Sequence, residues 1–294
     1  MIYIEKTTEP KGLTQWKEQE KEYLEEKYKD VHTKASVIFE HLQNEPKSGV
    51  SVTYHKRLLK ACLLEEQGYI CCYCGGRILN NNNTSIEHLI DKGKNKKLTF
   101  DYFNLLASCL GGTKTFYHLL EKGDTLNSIA KEYGVTEESL IMLNVDLINK
   151  EELENESAKT LKVGDQLVVI PKAEKGENHC DNRKGSKSIL ITPLQVDCEA
   201  KFYYKLQTGE IKSDDVDAVT TIGVLGLNNN WTLKKRRLNM IDIISRLLQM
   251  VYENPAINHE ETILGLVDKF KEKNERKYQP YFFVGTKILV GNKK

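Results

Sequence analysis

The stretch that decides the fold opens with Cys71-Cys72-Tyr73-Cys74 and continues through Ile86-Glu87-His88-Leu89, Asn104-Leu105-Leu106 and Cys109. It closes with His179-Cys180-Asp181-Asn182-Arg183-Lys184-Gly185. Cys71 and Cys74 form a C-x-x-C, the spacing at which two thiolates of one tight turn grip a single Zn²⁺. Cys109 and Cys180 can complete a tetrahedral four-sulfur site, with His179 or Cys72 as alternative donors. A site of this kind has no open position and contributes folding energy, so its metal is structural. The chain has seven cysteines. An odd number with a C-x-x-C points to metal before disulfides in a cytosolic chain. Cys62, Cys72 and Cys198 are then left over, and Cys62, in Leu58-Leu59-Lys60-Ala61-Cys62-Leu63, reads as a core thiol on an apolar helical face.

The residues between and after the cysteines carry chemistry. Ile86-Glu87-His88-Leu89 reads as the end of a strand, with His88 on one face and Glu87 on the other or at its rim. A neutral imidazole near pH 7 suits a general base that takes a proton from water. Attack on a phosphodiester also needs a divalent ion to stabilise charge on the phosphorus and leaving oxygens. Oxygen ligands suit Mg²⁺ or Mn²⁺, which makes Glu87 and Asp181 the candidates. Asn104 is expected to orient the base or brace its loop. The run from Cys180 to Lys184 puts Asp181 at the start of a helix pointing back at His88, with Lys184 and Arg183 approaching a nucleic-acid phosphate.

Taken in order, C-x-x-C, E-H, N-L-L-x-S-C and H-C-D-x-x-K-G resemble the HNH endonucleases. Among these the chain resembles the HNH subunit of Septu anti-phage systems and the similar nucleases encoded beside some retrons. It extends to the N-terminal Ile4-Glu5-Lys6 arm, the Leu63-Leu64-Glu65-Glu66-Gln67-Gly68-Tyr69 approach and residues 227–237. The resemblance implies a ββα-metal core, an invading nucleic acid, DNA or RNA, as substrate and a large ATPase as partner. It departs at the last HNH position, where Asp181 stands with Asn182 beside it, and either could meet the metal.

About seventy residues of other character separate Cys109 from Cys180. The segment running through Phe116-Tyr117-His118-Leu119-Leu120-Glu121-Lys122-Gly123-Asp124-Thr125-Leu126 to Leu161-Lys162-Val163-Gly164-Asp165-Gln166-Leu167 resembles a LysM domain. The residues agree: a strand, a turn at Gly123, a helix capped by Asp124, a second capped by Thr136, and a second strand after Gly164-Asp165. LysM domains bind N-acetylglucosamine polymers beside the first strand–helix turn, which here is Gly123, Asp124 and Thr125. Residues 112–178 carry 8 Lys and 13 Asp or Glu, net −5, and the rest of the chain is +6. A polyanion is therefore repelled by the insert and mildly attracted elsewhere.

The remainder reads as helical support. Residues 1–10 suit a short strand or an ordered arm. Helices are expected over 13–28, 31–42 and, after the Glu45-Pro46-Lys47-Ser48-Gly49 breaker, 53–67. Short strands are expected at 189–193 and 202–206. A long helix at 232–252 should bury Leu238, Ile241, Ile243, Ile244, Leu247 and Leu248, and Asn258 should cap another over 259–273.

The expected class is α+β: a mostly helical protein around a zinc-stapled ββα-metal core, interrupted by a βααβ LysM domain. Its parts are an N-terminal region (1–70), a split core (71–112 and 178–188), the insert (113–177) and a C-terminal helical region (189–294). With no long apolar run and no signal-like leader, the expected location is the cytoplasm with no membrane contact. A protein of another class, a non-catalytic zinc and LysM protein that recognises a glycan or a partner, would be secreted or lack the Glu87-His88, Asn104 and Asp181 set.

Overall fold

The computed structural model describes residues 1–42, 54–111, 116–133, 135–144, 162–169 and 177–292. The expected breaker at residues 45–49 and the insert flanks at Gly112 and Gly176 lie outside these. The chain divides into two compact units, one of Met1–Gly111 with His179–Lys294 and one of Gly112–Asn178. No described helix is long and apolar enough to cross a membrane.

The first unit is α+β with helices dominant. It begins with an ordered arm and no strand. Met1, Ile2 and Ile4 are buried, the Ile4 amide donates to the Pro193 carbonyl at 2.7 Å, and Lys6 meets Glu66 at 2.6 Å. Glu66 also accepts from the Thr7 amide and the Tyr102 hydroxyl. Two segments that carry the resemblance, the arm and the approach to the cysteines, are thus joined by one carboxylate.

Helices α1 (Lys11–Gln19) and α2 (Lys21–Lys29) replace the single helix expected. The chain breaks at Glu20, whose carboxylate pairs with His41 at 2.8 Å. Helix α3 (Ala35–His41) is shorter than expected. Helix α4 (Lys56–Glu66) buries Leu59, Leu63 and Leu64 and ends before Gly68 (φ +61°). Beyond it, Gln67 donates to the Ile70 and Ala107 carbonyls at 2.9 and 2.8 Å and accepts from the Ala107 amide at 2.6 Å. That buried amide fixes the cysteine turn against the strand behind it. Cys62 is half-buried, not a core thiol, while Cys198 is fully buried.

Strands β1 (Thr84–His88) and β2 (Leu105–Cys109) form an antiparallel pair, with His88 opposite Leu105 and Thr84 opposite Cys109.

In the second unit, β3 (Phe116–Leu119), α5 (Leu126–Tyr133), α6 (Glu137–Leu143) and β4 (Gln166–Val169) follow in order, with β3 antiparallel to β4. Leu120, Ile129, Ala130, Leu140, Leu167 and Val169 form its own small core. Thr136 caps α6 through the Ser139 amide. Thr125, not Asp124, serves α5: the Ser128 amide donates to its hydroxyl at 3.0 Å. Asp124 is occupied by the Glu121 amide at 2.8 Å and His118 at 2.9 Å.

The chain returns to the first unit in α7 (Cys180–Lys184), which packs on β2. Residues 189–193 form an irregular, bent segment and no strand. Their amides at Leu190 and Ile191 donate to the Thr221 hydroxyl, which leaves no call for a strand partner. Strands β5 (Tyr203–Tyr204) and β6 (Ile211–Lys212) pair as a two-residue ladder. Helix α8 (Val216–Leu225) ends at Gly226 in the left-handed region. Helix α9 (Trp231–Glu253), capped by Asn230, buries Leu233, Met240, Ile241, Ile244 and Val251. Ile243, expected inward, is 49% exposed. Helix α10 (His259–Lys271) is capped by Asn258 as expected. Helix α11 (Phe282–Leu289) packs against both α9 and α10. Its approach bears on the cysteine turn: the Tyr281 amide donates to the Gly75 carbonyl at 3.0 Å.

Candidate functional site

Three distant pieces of chain deliver four thiols to one point. Cys71 and Cys74 come from a turn closed by the Cys71 amide on the Gly76 carbonyl at 2.9 Å and the Gly75 amide on the Cys71 carbonyl at 2.9 Å. Cys109 ends β2 and Cys180 opens α7. The four sulfurs lie within 4.8 Å of one another, with Cys71 to Cys180 at 3.8 Å and Cys74 to Cys109 at 3.7 Å. A tetrahedron of Zn–S bonds near 2.3 Å spaces its sulfurs by about 3.8 Å. The Cys109 amide points at the Cys71 sulfur (3.3 Å) and the Gly76 amide at the Cys74 sulfur (3.4 Å), contacts that suit thiolates. The group could hold one metal ion, and its donors and spacing are compatible with zinc. Of the alternative donors, His179 Nδ1 stands 3.1 Å from the Cys180 sulfur but outside the group of four, as does Cys72.

The electrostatics of the free thiols point the same way. Burial opposes charge on Cys71, but hydrogen bonds from neighbouring thiols outweigh it and hold its pKa well below the ordinary thiol value. Burial, then the neighbouring sulfurs, pushes Cys180 well above that value. A buried cluster in which one thiolate forms at its neighbours' expense is relieved by a bound cation, which lets all four ionise.

Closure of the cluster depends on Gly111. Its φ is +75°, and a Cβ there would lie 1.7 Å from the His179 carbonyl oxygen. Cys109 and Cys180 can therefore approach only with glycine between them and the insert. Gly111→Ala is expected to cost about 3 kcal/mol or more in urea unfolding and to weaken any metal binding by the four cysteines.

Beside this cluster stand the acidic and histidine residues. Glu87 and Lys184 are both buried and paired at 2.6 Å, and Lys184 also donates to the His88 carbonyl at 2.9 Å. Tyr73 donates to Glu87 at 3.1 Å. Burial first, then a hydrogen bond with Asp181, pushes the Glu87 pKa up to about 8 against the pull of Lys184.

His88 is buried, packed edge-on to Phe39 at 5.0 Å. Its Nε2 lies 3.0 Å from the Thr99 carbonyl oxygen. A carbonyl only accepts, so Nε2 carries the hydrogen and Nδ1 keeps the lone pair. Burial, then the charge of Lys92, lowers its pKa to about 4. The ring is therefore neutral at pH 7.

Asn104 braces the loop after His88: its Oδ1 accepts from the Ile90 amide at 2.8 Å and its Nδ2 donates to the Ile90 and Leu98 carbonyls. Of the two candidates after Cys180, Asp181 reaches Glu87. Asn182 is bonded to the loop instead, its amide to the Leu110 carbonyl at 3.0 Å and its side chain to that of Gly111. Arg183 is exposed.

Lys184 is a correction. It is 1% exposed and committed to Glu87 and His88, so it is not placed to meet a phosphate. Lys184→Ala leaves Glu87 without its partner and is expected to cost about 3 kcal/mol by urea unfolding. Sequence reasoning also missed Tyr73 and the Thr99 carbonyl. Tyr73 lies inside the cysteine motif and was available to it, but a backbone carbonyl carries no sequence signature.

In the insert, Gly123 has φ +103° with open space where a Cβ would stand. Thr125 and Asp124 have the bonds given above, and His118 also meets the Tyr133 hydroxyl at 3.2 Å. The expected groove residues are thus mostly engaged in holding their own turn.

No curated protein matches the chain. Residues 118–169, the greater part of the second unit, match the family model of the LysM domain, in keeping with the βααβ order of that unit.

Proposed function

We propose that the chain is a metal-dependent HNH-type endonuclease carrying a LysM insert, and that it serves as the effector subunit of an anti-phage complex with an ATPase. The observation that carries the reading is one constellation: a neutral His88 with Nδ1 unprotonated, next in sequence to Glu87, whose pKa is raised in part by Asp181 on the helix begun by Cys180. In this reading Cys71, Cys74, Cys109 and Cys180 hold a structural Zn²⁺ that fixes α7 against β2. Glu87 and Asp181 would hold Mg²⁺ or Mn²⁺, which when bound supplies charge stabilisation at the phosphate and leaving oxygens. His88 Nδ1 takes the proton of the attacking water, and the Thr99 carbonyl keeps the tautomer that leaves Nδ1 free. Asn104 holds the loop that supplies that carbonyl. Lys184 stabilises the strand end through the His88 carbonyl and Glu87. The substrate is DNA, with RNA as the second candidate.

The LysM match supports a second reading, a zinc-stabilised protein that binds an N-acetylglucosamine polymer or a partner without chemistry. Incubation with plasmid DNA and single-stranded RNA, with Mg²⁺ or Mn²⁺, and a pull-down on chitin separate the two. Cleavage supports the first, while retention on chitin without cleavage supports the second.

The insert folds around its own core. Replacing residues 113–177 by a short Gly-Ser linker is therefore expected to leave metal content and cleavage within about twofold of the full chain. Co-purification with the ATPase or protection against phage should weaken. Loss of metal on deletion would make the insert part of the nuclease core.

A further inference from the structure

The loop between His88 and Thr99 carries a run of basic residues beside the candidate site. Residues 91–97, Asp91-Lys92-Gly93-Lys94-Asn95-Lys96-Lys97, hold four lysines and one aspartate. That aspartate is turned inward on its own turn, accepting from the Gly93 amide at 3.0 Å. The loop is rigidly built. Asn95 accepts from the Lys97 amide, the Thr99 hydroxyl donates to the Lys96 carbonyl, and Asn104 clasps both ends through Ile90 and Leu98. Rigid lysine-bearing backbone of this kind needs little ordering when a ligand arrives.

Its lysines divide into two groups. Lys96 is tied to the Asp30 carbonyl at 2.6 Å. Lys94 and Lys97 are exposed, and among the described residues no ion pair takes Lys92, Lys94 or Lys97. Lys92 lies 5.4 Å from the centre of the Phe39 ring, the ring that packs on His88. Its ammonium group thus stands near the imidazole. Lys94 reaches across to the Ser188 hydroxyl at 2.8 Å, which joins the loop to the exposed segment after α7 that carries Lys187, with exposed Arg183 on α7 itself.

We propose that Lys92, Lys94 and Lys97, continued by Lys187 and Arg183, form one phosphate-binding rim around His88 that receives the sugar–phosphate backbone of a polynucleotide. The inference rests on the nuclease reading of the same site and, apart from Arg183, assigns its substrate contacts to lysines that the motif does not contain. It also takes over the role that Lys184, being buried, does not fill. Phosphate contacts of this type position a duplex without reading its sequence.

The test is fluorescence anisotropy on the full chain with divalent ions left out, in separate arms with labelled duplex DNA and labelled RNA, from 50 to 200 mM salt. The Lys92→Gln, Lys94→Gln, Lys97→Gln triple variant should bind at least about tenfold more weakly at low salt, with the slope of log K against log salt flatter by about three. Its metal content and melting temperature should match the unaltered protein, because these lysines are not core. The arm that binds identifies the polymer. If the unaltered protein binds, and cuts once Mg²⁺ or Mn²⁺ is added, while the triple variant keeps the same affinity and slope, the rim is wrong and the nuclease reading stands. If the unaltered protein neither binds nor cuts either polymer, both fall together.

Discussion

His88→Ala is expected to lower phosphodiester cleavage about 10³-fold while leaving bound metal at its usual stoichiometry, since loss of a positioned general base costs 10²–10⁴-fold. The separation of the two readouts follows from the geometry. His88 ends β1, and its ring bonds to the Thr99 carbonyl and packs on Phe39, whereas the four sulfurs are held from the cysteine turn, the far end of β2 and the start of α7. Truncating the ring removes one hydrogen bond and one aromatic contact, a loss small beside the core packing of the first unit. Cleavage assays beside zinc analysis of the same preparation check it. Activity at near the original rate would remove His88 from the mechanism.

The second large effect concerns the cysteines. Cys71→Ser or Cys180→Ser should abolish tight metal binding, taking zinc from about one per chain to none, and yield insoluble or protease-sensitive protein. Structural zinc contributes roughly 10–16 kcal/mol in small zinc-dependent units, against a net stability of about 5–15 kcal/mol for a whole domain. Here the cluster spans a sequence separation of 109 residues between Cys71 and Cys180. Without it the two ends of the split first unit lose their main crosslink. A well-folded, metal-free protein would contradict this.

Much of the architecture was legible because it is written in local rules. The helix begun by Asn258, the Thr136 cap and the antiparallel pair around the insert follow from capping residues, glycine turns and apolar spacing. The four cysteines could be named because thiols with this spacing have few other uses. The errors arose where tertiary bonds override local preference. Residues 189–193 carry strand-forming side chains, but Thr221 and the N-terminal arm already satisfy their backbone groups. Asp124 has the right type to cap α5 but is captured by His118 and the Glu121 amide, which leaves the cap to Thr125.

Lys184 shows the same limit at the candidate site. A lysine after a metal-binding motif reads as a phosphate contact, yet its partners, Glu87 and the His88 carbonyl, are reached only through the fold. The choice between Asp181 and Asn182 likewise turns on where β2 ends, since Leu110 and Gly111 occupy Asn182 and leave Asp181 beside Glu87. The tautomer of His88 is set by a main-chain carbonyl eleven residues away, which no motif records.

The most direct test is a cleavage assay on the purified full chain, alone and with the proposed ATPase partner, using plasmid DNA and RNA with and without Mg²⁺ or Mn²⁺. The account predicts divalent-ion-dependent cutting that Glu87→Ala, His88→Ala and Asp181→Ala each lower by at least about 10²-fold in protein that still holds one zinc. Zinc-loaded, folded protein that cuts neither polymer with either ion, with or without the ATPase, would contradict it.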